Sequence, residues 1–254
     1  MSLADPTLSL PLHGKRVLVT GSSRGIGRSI AEAMAAAGAT LVLHARTQAH
    51  LDAVRGELPG AAFTYGDLKT RAGSEFVAQL ALDAVGGVDI VVNNAGIGVR
   101  GSLLDADYQA WAQAFAVNVL SGLMLAKRLV PGMIERRWGR VINIGSPYAR
   151  IPSPGLGGYC VTKAALEMLT KSMALEWAGT GVTANAVAPV QVLTDLTRPT
   201  HDDPVRRSLV DSQIPMGRWA RAEDLHGAVM LLASPQSDMM TGQTLFIDGG
   251  RLLI

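Results

Sequence analysis

Short runs of apolar, β-branched residues recur along the chain, separated by longer stretches in which apolar positions return at helical spacing. The runs are Arg16–Thr20, Thr40–His44, Ala61–Gly66, Asp89–Asn93, Arg140–Ile144, Thr183–Ala188 and Thr244–Ile247. They are nearly continuous in apolar character rather than alternating, which is the pattern of strands buried on both faces of a parallel sheet. The intervening stretches include Arg28–Ala37, Tyr108–Met133, Tyr159–Trp177 and Ala222–Leu232, and Gly38 and Gly139 stand where helices should end. Alternation of strand and helix predicts right-handed crossovers. The expected fold is therefore α/β: an open, doubly wound parallel sheet of about seven strands with helices on both faces. No repeat or linker interrupts the pattern, so one domain is expected over residues 1–254, with 1–14 as an N-terminal extension. Periodicity weakens between Pro189 and Gly217, where the chain turns polar. Residues 190–217 read either as a solvated surface excursion or as a substrate loop or lid.

Composition narrows the class. Glycine occurs 28 times in 254 residues, against about 18 at average usage, so many tight turns are expected. Lys+Arg 23 against Asp+Glu 21 leaves a net charge of +2, with both signs scattered. No concentrated basic face is visible, so no nucleic-acid partner is expected. Arg136, Arg137 and Arg140 do cluster, and read as solvating the chain before the fifth strand. The single cysteine, Cys160, cannot form an internal disulfide, which suits a reducing, cytoplasmic setting. Met1–Gly14 lacks a basic segment followed by an apolar one, so no signal peptide is read. No uninterrupted apolar run approaches the roughly 18 residues of a membrane span, and no metal site is read.

The first strand runs into Thr20-Gly21-Ser22-Ser23-Arg24-Gly25-Ile26-Gly27, and then into a helix. Glycine lets backbone turn sharply and lie close to a phosphate, while a helix N-terminus offers free N–H groups and a positive dipole end. The spacing is Gly-x-x-x-Gly-x-Gly rather than the commoner Gly-x-Gly-x-x-Gly. A turn of this kind is either a dinucleotide cradle or purely structural. The end of the second strand bears on which dinucleotide. Where an NAD site places an acid for the ribose hydroxyls, this chain reads His44-Ala45-Arg46. Arg46, with Arg24 in the turn, suits a 2′-phosphate, so NADP(H) is favoured over NAD(H).

A second constellation lies further along. Ser146 ends a strand, and Tyr159 and Lys163 are four apart on a helical pattern, hence on one face. A nearby ammonium would lower a tyrosine pKa from about 10 and ready the phenol for proton exchange with a carbonyl or alcohol oxygen. Ser146 would hold that same oxygen.

Together these residues resemble the compact, single-domain branch of the short-chain dehydrogenase/reductase family, from about Lys15 to Gly250. The motifs are Thr-Gly-x-x-x-Gly-x-Gly at Thr20–Gly27, Asn-Asn-Ala-Gly at Asn93–Gly96, and Tyr-x-x-x-Lys at Tyr159–Lys163, with Ser146 13 residues before the tyrosine. The resemblance implies a Rossmann-type fold, a nicotinamide cofactor and a catalytic tetrad of Asn118, Ser146, Tyr159 and Lys163. Tyr159 would be the acid/base, Ser146 would position the oxygen, Lys163 would tune Tyr159 and bond the nicotinamide ribose, and Asn118 would complete a proton relay. It implies cofactor contacts from Gly21, Ser23, Arg24, Gly25, Ile26, Gly27, Arg46, Asp67, Leu68, Asn94, Ala95, Gly96, Tyr159, Lys163, Pro189, Val192 and Thr194. Among these, Asp67 would meet the adenine, Asn94 and Gly96 the adenosine ribose, and Thr194 the carboxamide. A homotetramer is implied too, with a small carbonyl or alcohol as substrate. Two other enzymes remain open: an NAD-linked sugar or polyol dehydrogenase, and a 3-oxoacyl-carrier-protein reductase. A different class, a catalytically idle cofactor-binding module, would need the tetrad to be silent.

Departures from the family pattern point to the substrate side. Pro189-Val190-Gln191 stands where Pro-Gly is usual, which reads either as a neutral variation or as a re-shaped loop with Val190 or Gln191 facing the substrate. Three prolines stiffen Pro147–Pro154, and Tyr148 and Ile151 in it read either as lining a substrate wall or as surface residues. Gly155, Gly157 and Gly158 flank the active-site helix and read as letting the preceding loop move. Cys160 adjoins Tyr159 but points elsewhere on the helix, and reads as packing.

Overall fold

The computed structural model describes residues 11–52, 54–56, 58–195 and 197–254. Residues 1–10 of the expected N-terminal extension, and Leu196 in the expected substrate loop, lie outside the described residues. In chain order the elements are β1 (Arg16–Val19), α1 (Gly25–Ala36), β2 (Thr40–Ala45), α2 (Gln48–Asp52), β3 (Ala62–Tyr65), α3 (Arg71–Val85) and β4 (Ile90–Asn93). Then follow α4 (Tyr108–Phe115), α5 (Ser121–Glu135), β5 (Gly139–Ile144), α6 (Gly157–Glu176) and β6 (Val182–Pro189). The last elements are α7 (Arg198–His201), α8 (Pro204–Asp211), α9 (His226–Ala233) and β7 (Thr244–Ile247).

The strands form one seven-stranded sheet in the order β3-β2-β1-β4-β5-β6-β7, and each neighbouring pair is parallel. Successive strands step outward from β1 in one direction and from β4 in the other, so the winding reverses between them. Two apolar layers cover the sheet. Ile30 and Met34 of α1 pack with Val229 and Leu232 of α9 on one face. Val77 and Ala81 of α3 pack with Leu125 and Leu129 of α5 and Met173 of α6 on the other. These layers account for the continuous apolar runs, because β1, β4, β5 and β6 have no solvent face.

Three features depart from the sequence expectation. The long stretch from Tyr108 is not one regular helix: α4 passes into α5 through a π-helical turn at Ala116–Leu120. Over Tyr108–Glu135 this composite helix is long and apolar enough, by length and composition, to cross a membrane. It behaves as a core helix, with Ala114, Leu125 and Leu129 buried and Gln113, Lys127 and Arg128 exposed. Arg140 does not solvate the chain. Its strand is covered on both sides, so the side chain is fully buried, donating to the Ser234 carbonyl, pairing with Asp238 and lying over the Trp138 ring. Finally, the polar segment after β6 carries α7 and α8, with Asp203 capping α8 through Val205 N and Arg206 N.

Candidate active site

The glycine turn and the segment after β4 lie side by side at the C-terminal edge of the sheet, where its winding reverses. That crevice is where open α/β sheets receive ligands. Thr20 begins the assembly: its Oγ1 accepts the backbone N–H groups of both Asn94 and Ala95, each at 3.0 Å. Asn94 answers by donating Nδ2 to the carbonyls of Thr20 and Gly21 at 2.9 and 3.2 Å. The turn is thereby strapped to β4. Gly21 and Gly25 take left-handed backbone, at φ +63° and +58°, which glycine adopts without a steric penalty. Arg24 precedes α1 without a side-chain cap, and the first helical bond runs from Arg28 N to Arg24 O. The N–H groups of the first turn therefore remain available to an anion.

A buried histidine holds the other side of this turn. His44, the fifth residue of β2, accepts the Gly21 N–H at Nδ1, 3.1 Å away, and its Nε2 lies 3.1 Å from the Gly66 carbonyl. Those partners require a neutral ring with the proton on Nε2. Burial drives the His44 pKa down to about 4, outweighing the Gly66 bond and the Asp67 charge. The residue therefore fixes the glycine turn against the end of β3, and only its neutral form can do so. The stability consequence has a definite sign. The unfolded chain gains a proton near pH 6.5 that the folded one refuses until about 4. Stability from this residue is therefore present above the higher value and is lost as pH falls between the two, to a total on the order of 3 kcal/mol. In urea titrations from pH 7 to pH 4, His44→Asn should lose stability less steeply than the parent. Parallel curves would count against it.

Ser146, Tyr159, Lys163 and Asn118 also meet here. Ser146 follows β5, and Tyr159 and Lys163 lie on α6. Tyr159 and Ser146 are hydrogen-bonded through their side chains. Lys163 is buried and donates Nζ to the Ile144 carbonyl at 2.7 Å. Asn118 sits in the π-helical turn, whose irregular backbone turns its side chain toward the segment after β4. Its Oδ1 accepts Ile97 N at 2.8 Å, while Nδ2 donates to Ile97 O and to Thr162 Oγ1. A Cβ placed on Gly96 would lie 3.4 Å from Asn118 Oδ1 and 3.9 Å from Lys163 Nζ, so the three converge.

The electrostatics of this group correct one expectation. Lys163 does not depress the Tyr159 pKa; its Nζ is 5.6 Å from the ring centroid and engaged with backbone. Burial dominates and pushes Tyr159 up to about 12, against the smaller opposing effect of the Ser146 bond. Burial also brings Lys163 down to about 8. At neutral pH the site therefore presents a neutral phenol, a proton donor held beside a serine hydroxyl, with a charged ammonium behind it.

The remaining expected cofactor residues surround this cleft unevenly. Gly21, Ser23, Gly25, Ile26 and Gly27 form the turn, and a Cβ on Gly25 would lie 3.3 Å from Thr194 Cγ2. Thr194 N donates to Thr197 Oγ1, and Val192 is buried and bridged to Ala220. Pro189 closes β6. Leu68 is buried, whereas Asp67 and Arg46 are exposed. Arg24 pairs with Asp195 at 3.1 Å, but both are largely exposed, so the guanidinium is held weakly. Val190 does not face the substrate: it is buried, and its backbone is not left-handed. Gln191 is half-buried, with its side chain on Tyr148. The glycines flanking α6 also have another purpose. A Cβ on Gly157 would lie 2.6 Å from Leu103, and one on Gly158 2.8 Å from Val99, so they allow close packing. Cys160 is buried, consistent with packing.

The family model described as Enoyl-(Acyl carrier protein) reductase matches residues 21–251, spanning both the glycine turn and the Tyr–Lys helix. The chain is a short-chain dehydrogenase/reductase. L-Xylulose reductase of Mesocricetus auratus is 38% identical over 247 residues, covering 97% of this chain and 100% of that protein. The 3-oxoacyl-[acyl-carrier-protein] reductase of Vibrio cholerae is 37% identical over 247 residues, covering 96% and 99%. A gluconate 5-dehydrogenase from Burkholderia cenocepacia, solved with NADP and tartrate, superposes with a TM-score of 0.91 at 36% identity, covering 97% and 98%. This short-chain dehydrogenase/reductase is thus an NAD(P)-dependent oxidoreductase acting between alcohols and ketones.

Proposed function

We propose that the chain is an NADP(H)-preferring enzyme, one cytoplasmic domain assembling as a homotetramer, that interconverts a ketone and a secondary alcohol on a small substrate. The observation that carries the reading is the neutral Tyr159 phenol bonded to Ser146 in the same cleft as the glycine cradle. A dinucleotide suits that cradle: the first N–H groups of α1 are uncapped, and Gly27 lets the helix start close against Asn94 and the Gly21 carbonyl, where a Cβ would collide. Gly21, Gly25, Gly27 and the first N–H groups of α1 would take the pyrophosphate, Arg46 and Arg24 the 2′-phosphate, and Asn94, Ala95, Gly96, Asp67, Leu68, Val192 and Thr194 the rest. When bound, the nicotinamide supplies or receives the hydride. Ser146 then holds the substrate oxygen, and Tyr159 gives it a proton in reduction or takes one in oxidation. Lys163 and Asn118 would complete the proton relay from the phenol toward solvent.

Arg46 carries the cofactor preference. No acid stands at the end of β2, and the exposed guanidinium is free to meet a 2′-phosphate. NADPH should bind at least about tenfold more tightly than NADH, and Arg46→Asp should reverse the order by removing a charge-assisted bond and adding repulsion. Fluorescence titration of both cofactors checks it; equal affinities in the parent would remove the preference.

The Vibrio relative's similarity favours a second reading, reduction of a 3-oxoacyl group on a carrier protein. Turnover of acetoacetyl carried on that protein, measured against free pentuloses under the same conditions, separates the two.

A further inference from the structure

Gln191 and Tyr148 reach each other across the cleft from two different segments. Gln191 Nε2 donates to the Tyr148 hydroxyl at 2.6 Å. The Tyr148 ring stands edge-on to the Tyr159 ring, with centroids 6.4 Å apart and planes at 76°. Its backbone N–H donates to Ser146 Oγ at 3.3 Å. The pair thus adjoins both side chains assigned to the reacting oxygen, and a charge on Tyr148 would oppose one on Tyr159.

The pair is held in place by its backbone. Val190 N donates to Ile247 O at 3.0 Å on one side of Gln191, and the Gln191 carbonyl accepts Ala220 N at 2.9 Å. Val192 then bridges to Ala220, and the buried Val190 side chain anchors the segment in the core. On the other side, Pro147 opens the short helical turn Pro147–Ala149 that carries Tyr148. Gln191 and Tyr148 are both half-buried, open on the cleft side.

The chemistry left over is specific. The Tyr148 oxygen accepts from Gln191, which leaves the phenolic proton to donate elsewhere. Among the described residues no donor reaches Gln191 Oε1, so that oxygen is left to accept. A donor and an acceptor side by side are what a single hydroxyl, itself both, satisfies. A methyl group there would leave both unpaired.

We propose that Gln191 and Tyr148 form a hydroxyl-reading pair, selecting ketones that carry a hydroxyl on the carbon next to the carbonyl, and the vicinal diols made from them. The proposal rests on Tyr159 and Ser146 as the groups that meet the reacting oxygen. Its test uses matched substrates with NADPH, in which a methyl group replaces the hydroxyl: 1-hydroxypropan-2-one against butan-2-one, and 1-hydroxybutan-2-one against pentan-3-one. The parent should prefer the hydroxylated member by about tenfold or more in kcat/KM, the discrimination of one well-placed hydrogen-bonding site. Gln191→Leu and Tyr148→Phe should each bring the preference to within about threefold. Because the two act as a unit, the double variant should lose no more than either single one. Turnover of the unhydroxylated members and NADPH affinity should stay near parent values, which a merely structural role would not predict. Tyr148→Phe keeps the ring and its packing, so it remains informative should Gln191→Leu fold poorly.

A parent that reduces both members equally through Tyr159, or a preference that survives both substitutions, overturns the pair and leaves the proposed activity standing. Reduction of no carbonyl at all, or turnover that survives Tyr159→Phe, overturns that activity.

Discussion

Tyr159→Phe should lower kcat by about a hundredfold to ten-thousandfold, the contribution of a positioned general acid, while NADPH affinity stays near that of the parent. The substitution removes one oxygen and leaves the ring, so its edge-on packing against Tyr148 survives. What disappears is the proton donor bonded to Ser146. A pKa pushed up to about 12 by burial means the phenol is protonated across the working range, so its loss cannot be offset by raising or lowering the pH. The second phenol in the cleft, Tyr148, is a nearby group that could stand in. Tyr148→Phe in the same assay therefore tells the two apart: it should spare turnover of simple ketones, whereas Tyr159→Phe should not. Activity within tenfold of the parent in Tyr159→Phe would assign the proton to another donor. Single-turnover measurement of NADPH oxidation makes the comparison on the chemical step itself.

Much of this site was legible because its signals are local. A strand, a glycine turn and a helix are contiguous, and so are the Tyr159 and Lys163 positions on one helical face. Parallel strands covered on both sides write themselves as unbroken apolar runs, so the sheet could be read from periodicity. What escaped depends on contacts between distant segments. His44 stands in an apolar strand, and nothing in its neighbourhood announces that its two ring nitrogens join Gly21 to Gly66. The absence of the usual acid after β2 was a signal that this strand end works differently. Asn94 belongs to a recognised motif, yet the resemblance offers it to the ribose, and the structure shows its amide engaged in bracing the turn. The π-helical turn at Asn118 is invisible in Ala116–Leu120, because four apolar residues and one polar one fit an ordinary helix equally well. Arg140 misled for a related reason: charge suggests solvent, but its partners Ser234 and Asp238 come from the far end of the chain.

The expectation that Lys163 lowers the Tyr159 pKa failed although the two share a face of α6, because the ammonium is engaged with the Ile144 carbonyl and burial of the phenol dominates. Here desolvation raises Tyr159 and lowers Lys163 together, each toward its neutral form. A reductive role profits from that order, since a neutral phenol can give a proton without first acquiring one.

Gly27→Ala should cost about a hundredfold in NADPH affinity and lower Tm as well, because the position has no room for a methyl group. The added Cβ would lie 2.3 Å from Asn94 Nδ2 and 2.6 Å from the Gly21 carbonyl oxygen. An amide side chain can swing away, but Asn94 is bonded to the carbonyls of Thr20 and Gly21, so yielding there would unstrap the turn from β4. The Gly21 oxygen is backbone and can move only if the turn opens, at the point where Gly21 N is also held by His44. Either response displaces the N–H groups that would face the pyrophosphate. Relieving the side-chain collision alone should not restore binding: Gly27→Ala combined with Asn94→Ala removes the first contact, keeps the second and loses the strap. Gly56→Ala is the matched control, since a Cβ there meets nothing within 4 Å and the backbone is not left-handed. Fluorescence titration with NADPH, alongside thermal unfolding of each variant, separates a damaged cradle from general destabilisation. Parent-like affinity in Gly27→Ala would mean that the turn yields without cost and that this glycine is not reserved for the dinucleotide.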